Sequence, residues 1–207
     1  MRPPASRRAE PSARPDPLRG EIAAVAAGLI ADAGLDYASA KRKAARQVLG
    51  DAAVPRGALP DNAAIDDALR EHLELFDDGH AARVRRMRSA ALQLMGELQA
   101  FNPHLTGAVW KGIVAEHAPI HLQLFCDSPK DVEIFLLNRG LDFVVGEIAD
   151  FRSGNGARAD VEALSLAWQG EPVVLSLYET DALRGALRGA PPERGGAAAV
   201  EQLLAAT

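Results

Sequence analysis

The chain has 207 residues, of which 48% are hydrophobic and 25% charged, with one cysteine and a formal net charge of −5. These proportions exclude a collagen, a coiled-coil rod and a disulfide scaffold, and they suffice for one sizeable core with a helical appendage. Aromatic residues are only 5%, so that core has to rest mainly on Ala, Leu and Val.

Residues 1–17, MRPPASRRAEPSARPDP, are rich in Pro, Arg and Ser and read as a disordered tail. From Leu18 apolar residues recur at helical spacing through Ile22, Val25, Ala26, Leu29 and Ile30, with Gly34 placed to end the helix. Its uncharged apolar stretch is about half the roughly 20 residues that a bilayer requires. Glu10, Asp16 and Glu21 near the start are foreign to a secretory leader. A lone Cys126 suits a reducing compartment. The expectation is a cytoplasmic protein without membrane contact.

A second helix, Tyr37 to Leu49, stops at Gly50, and a third, capped by Asp61 or Asn62, carries Ile65, Leu69, Leu73 and Phe76 inward. A fourth runs from His80 to about Phe101, where Asn102-Pro103 ends it. The period then changes. His104 to Val114 reads as a glycine-interrupted strand and turn, and Ile120 to Phe125 as a strand with Ile120, Leu122 and Leu124 on one side and His121, Gln123 and Phe125 on the other. Ser128 and Pro129 open a helix to Arg139, and Leu141 to Gly146 is a strand. Asp160 to Trp168 and Pro172 to Tyr178 flank Gln169-Gly170-Glu171, a three-residue hairpin signal. A helix from Thr180 or Asp181 to about Arg188 and a last one from Ala197 to Ala206 complete the layout. The fold class is α+β: a tail at 1–17, a helical region at 18–101, a mixed or antiparallel sheet domain at 102–188, and a linker with a short helix at 189–207.

Charge is uneven along the chain. Lys41, Arg42, Lys43 and Arg46 cluster on the second helix and Arg83, Arg85, Arg86 and Arg88 on the fourth, while the third holds Asp61, Asp66, Asp67, Glu71 and Glu74. Two readings stand open. The cations pair with the acids between them, or Lys41, Arg42, Arg83 and Arg86 form an anion-binding surface for a nucleotide or a nucleic-acid backbone, with no membrane involved.

The stretch with most chemical content is residues 107–127, GAVWKGIVAEHAPIHLQLFCD. His117 and His121 do not share an ion, since Pro119 makes the intervening chain extended and four residues of strand span about 13 Å. Cys126 lacks an evident base and reads as an inert buried thiol. Gly107 and Gly112, a turn after a long helix followed by a loop and an apolar strand, resemble the nucleotidyltransferase superfamily with the DNA polymerase beta type of fold over roughly residues 84–179. In that family a Gly-Ser turn precedes a strand whose two aspartates, one residue apart, bind divalent metal beside a triphosphate. Here the serine position is Ala108, and the paired-aspartate positions are Pro119 and His121. Mg²⁺ requires hard oxygen ligands, and proline offers none.

The resemblance therefore implies a degenerate member that binds or regulates through the retained cleft, with Gly107, Lys111, Gly112 and His121 as ligand-binding residues and no metal or cofactor. Its rival is an active nucleotidyltransferase using Mg²⁺ held by the displaced acids Asp127, Asp160 and Glu162. A third expectation is an RNA- or DNA-associated basic helical module.

Overall fold

The computed structural model describes residues 17–50, 52–55, 57–149, 160–184 and 193–206. The tail expected before Pro17 and the C-terminal part of the helix expected from Thr180 to Arg188 lie outside these residues, as do residues 189–192 of the linker. The chain divides into two compact units, Met1–Leu69 and Arg70–Thr207.

The first unit is helical. Helix α1 (Pro17–Ala33) buries Ile22, Ala23, Ala26, Ala27 and Ile30, and α2 (Tyr37–Leu49) buries Ala40, Ala44 and Ala45. Two alanine-lined faces allow close approach, and α1 and α2 pack together. Gly34, at φ +62°, ends α1, with Leu35 N–H donating back to Leu29 O at 3.4 Å. Asp36 then caps α2 by accepting from Ser39 N–H at 3.0 Å. Asp61 performs the same office for α3 (Asn62–Phe76), accepting from Ala64 N–H at 2.8 Å. Asp61 also pairs with Arg19 at 2.6 Å, Asp66 accepts from the Tyr37 hydroxyl at 2.5 Å, and Lys41 donates to the Asn62 amide at 2.8 Å. Burial and the Asp66 carboxylate push the Tyr37 hydroxyl well above its ordinary pKa.

The second unit is α+β. Its elements are α4 (His80–Glu97), β1 (His104–Thr106), α5 (Gly107–Lys111), β2 (Ile120–Phe125), α6 (Pro129–Asn138), β3 (Phe143–Ala149), β4 (Asp160–Trp168), β5 (Glu171–Tyr178), β6 (Arg194–Gly195) and α7 (Ala197–Ala205). The six strands form one sheet in the order β3-β4-β5-β2-β1-β6. All neighbours are antiparallel except β2 and β5, which run parallel with Leu122 opposite Leu175. The β4–β5 turn is two residues long, not three: Trp168 pairs with Glu171, and both Gln169 and Gly170 have positive φ, as a type I′ turn requires.

One sheet face carries the apolar core, with Glu162 and Glu171 among its strand residues. Leu105, Ile120, Leu122, Leu124, Leu164, Leu166, Val173, Leu175 and Leu177 form a single cluster with Met87, Leu94, Met95 and Leu98 of α4, Val132 and Leu136 of α6, and Val200 of α7. Helix α4 thus belongs to the core of the sheet, and the unit boundary falls at Leu69 and not near residue 101. Strand β6 had no sequence signal, being two residues between Gly- and Pro-rich chain and a helix. It is held by pairing with β1 and by Trp110, whose ring lies against Gly195.

A Cβ at Gly195 would collide with the Trp110 ring and stand 2.9 Å from Ala199 Cβ. Gly195→Ala is expected to lower unfolding stability by about 1–3 kcal/mol, read as a lower midpoint in guanidinium with an altered Trp emission spectrum of the native state.

Candidate functional site

The connection between β1 and β2 is a one-turn helix followed by eight residues of loop, and its backbone groups find partners on α4. Arg88 is 7% exposed and donates from Nε to Val109 O at 3.1 Å and from Nη2 to Trp110 O at 3.1 Å. These carbonyls belong to the C-terminal end of α5, where a helix has no acceptor partners of its own. Burial draws the Arg88 guanidinium below its ordinary pKa, although an arginine keeps its charge. Arg83 donates to Val114 O from Nε at 3.1 Å and from Nη2 at 3.0 Å, and forms an ion pair with Asp77. His80 Nε2 accepts from Val114 N–H at 3.3 Å. Burial, with the Arg83 charge second, holds the His80 imidazole below its ordinary pKa and so in the neutral form that can accept. Three side chains one to two turns apart on one helix therefore fix both ends of residues 109–114.

That fixation sets the start of the loop against β2. Gly107 has φ +69°, and a Cβ there would stand 3.4 Å from Cδ2 of His121. Thr106 is the register partner of His121. Burial pushes the His121 imidazole below its ordinary pKa, leaving it neutral near pH 7. Registers place His104, Gln123 and Ser176 in the next row of the same face, with Phe125 and Tyr178 beyond them. Gln123 and Ser176 are buried polar residues. Arg194 crosses this face: Nη1 donates to Gln123 Oε1 at 3.0 Å, and its Cζ lies 5.1 Å from the Phe125 ring centroid. Phe125 in turn stacks on Tyr178 at 5.6 Å. The alternation of His121, Gln123 and Phe125 was legible in the strand, whereas Arg194 carried no signal of its own.

The remaining expected site residues separate. Lys111 is half-buried in the last turn of α5, and Gly112, also left-handed, ends that helix with its Cα side against Arg88 Nη2. Asp127 is exposed and accepts from the Thr180 hydroxyl at 2.7 Å. It lies six residues beyond His121, about 20 Å of extended chain. Asp160 is exposed at the first position of β4. Glu162 alternates with Ala163, the register partner of Ser176, so its side chain is on the helix-covered side of the sheet with Leu164 and Leu166, away from His121. Its Oε1 is inaccessible and has no hydrogen-bond partner among the described residues. Burial first, and the charges of Asp127, Asp131 and Glu162 after it, raise the Cys126 thiol above its ordinary pKa, which disfavours the nucleophilic thiolate. Among the described residues no three His, Cys, Asp or Glu gather to hold a metal.

The anion-binding set divides as well. Arg83 is committed to Val114 O and Asp77, Arg86 pairs with Glu171 at 2.6 Å, and Lys41 is tied to Asn62. Lys41 and Arg42 belong to one compact unit, Arg83 and Arg86 to the other.

No protein-family model, curated protein or solved structure matches this chain. Among the described residues no helix is long and apolar enough to cross a membrane.

A magnesium centre of the polymerase type does not fit the donor set at the β2 position. Pro119 has no side-chain donor, His121 offers a neutral nitrogen where a hard oxygen is required, and Glu162 is on the other side of the sheet.

Replacing Arg88 by Ala strands the carbonyls of Val109 and Trp110 in a buried setting. The expected loss is about 2–4 kcal/mol in denaturant unfolding. Arg88→Lys should recover less than half of it, because one ammonium cannot reproduce a fork that reaches two carbonyls.

Proposed function

We propose that this chain is a nucleotidyltransferase-like protein of the DNA polymerase beta type that has given up metal-dependent catalysis and acts by binding a nucleotide on the sheet face of Thr106, Gly107, His121 and Gln123. The layout supports this reading. A long helix, α4, precedes β1, a left-handed glycine opens a one-turn helix, β2 returns antiparallel to β1, and α6 follows. The observation that carries it is the seating of Gly107 on the His121 ring, 3.4 Å from a hypothetical Cβ. A glycine turn there lets a ligand's phosphate approach backbone, and the strand position beside it is occupied by a neutral imidazole. Such a group exchanges hydrogen bonds with a phosphate oxygen or a base edge but adds no negative charge to recruit a cation. Lys111, at the other end of α5, supplies positive charge on the same short element.

Isothermal titration of ATP with and without Mg²⁺ tests the reading. The dissociation constant should differ by less than about twofold between the two conditions, and His121→Ala should weaken it about tenfold, which is roughly 1.4 kcal/mol. Glu162→Gln should leave it unchanged. Binding that requires Mg²⁺ and disappears in Asp127→Asn or Glu162→Gln would favour an active transferase built on Asp127, Asp160 and Glu162. Absence of nucleotide binding in both conditions would overturn the reading.

A further inference from the structure

The α2 helix turns three of its four cations to one side. Counting 100° per residue from Ala40, the buried Ala40, Ala44 and Ala45 occupy one arc, and Ser39, Arg42, Lys43 and Arg46 fall within about 100° on the opposite side. Those four residues line one shallow concavity. No Asp or Glu occurs from Tyr37 to Gly50. The Lys43 and Arg46 side chains are exposed and make no hydrogen bond or ion pair among the described residues. Arg42 donates to Ser39 Oγ at 3.1 Å and also lies within the influence of Asp36, the α2 cap. Arg46, in the last turn, gains from the helix dipole, but Arg42 and Lys43 sit mid-helix, where that effect has faded.

The charge on this face is set against the rest of the molecule. Residues 1–50 carry nine Lys or Arg against five Asp or Glu, whereas the whole chain has a net charge of −5. The net negative charge of the chain therefore lies outside residues 1–50, so the electrostatic attraction open to a polyanion falls on this segment.

We propose that Arg42, Lys43 and Arg46 form a sequence-independent binding face for the phosphodiester backbone of nucleic acid. Arg42 and Arg46 lie about 6 Å apart along the axis, one above the other, and their planar forks match phosphate oxygens. The cationic arc contains no apolar residue. A membrane-surface helix needs an exposed apolar side beside its cations, and the apolar side of α2 is buried in its own unit. An acidic protein partner would find no aromatic or aliphatic anchor in the arc. This site is independent of the nucleotide reading, since it lies in the other compact unit.

The test is fluorescence anisotropy of the full chain with a labelled single-stranded RNA of about 20 nucleotides and a DNA duplex of similar length. For contacts to about three phosphates of a single strand, affinity should fall roughly twentyfold between about 50 and 200 mM salt. The triple variant Arg42→Ala, Lys43→Ala, Arg46→Ala should lose at least about tenfold in affinity and about 2 in salt slope. Alanine favours the helix, and an unchanged circular dichroism melt confirms that the variant is folded. Arg85→Ala, an exposed cation on α4, serves as control and should bind as the parent does. Binding to neither probe, equal binding by the triple variant, equal loss in the control, or binding to phosphatidylserine vesicles in place of nucleic acid would each overturn the assignment.

Discussion

Three α4 side chains hold the backbone between β1 and β2, and the geometry of the sheet face follows from them. A one-turn helix leaves most of its backbone groups without intrahelical partners, and where the chain is buried these cannot be left to water. Arg88 takes the carbonyls at the end of α5, Arg83 takes Val114 O, and neutral His80 takes Val114 N–H. The same helix contributes Met87, Leu94, Met95 and Leu98 to the core beneath the strands. Apolar burial thus fixes α4 relative to the sheet, and α4 in turn fixes the loop. The close seating of Gly107 on His121 is the consequence at the start of that loop.

The sequence was most legible where a local rule acts alone. The alanine-faced period from Tyr37 to the stop at Gly50 marked α2, the alternation of Ile120, Leu122 and Leu124 marked β2, and Ser128-Pro129 marked the start of α6. It was least legible where one element's polar groups serve another element's backbone. Arg83 and Arg88 lie in a cation-rich helix and look solvated, because nothing in linear order reveals carbonyls 21 or 31 residues further on that need donors. Strand β6 fails for the same reason, depending on Trp110 and β1 and not on its own two residues. The side of the sheet taken by Glu162 was available from parity, since it alternates in step with Leu164 and Leu166.

These assignments alter what the basic and acidic clusters can do. Cations on α4 that satisfy carbonyls or carboxylates are structural, whereas those on the outer arc of α2 face solvent with no acid on their own helix. Asp127, Asp131 and Glu162 lie near the end of β2 that is remote from His121, where their charges add to burial in raising the Cys126 thiol. On the His121 face the described residues include the neutral polar groups of Thr106, Gln123 and Ser176, crossed by the Arg194 guanidinium. Among the described residues, hydrogen bonding and cation–π contact are the interactions this face offers to a ligand.

The most direct measurement is a Mn²⁺ titration of the ¹⁵N-labelled protein followed by amide signal intensities, because a paramagnetic ion broadens signals around any site it occupies. A frame without an ion-holding acid pair predicts that the amides of Thr106 to Gly112 and Ile120 to Phe125 broaden no more than those elsewhere in the sheet. Selective loss of those signals at low Mn²⁺, reversed by excess Mg²⁺, would contradict it.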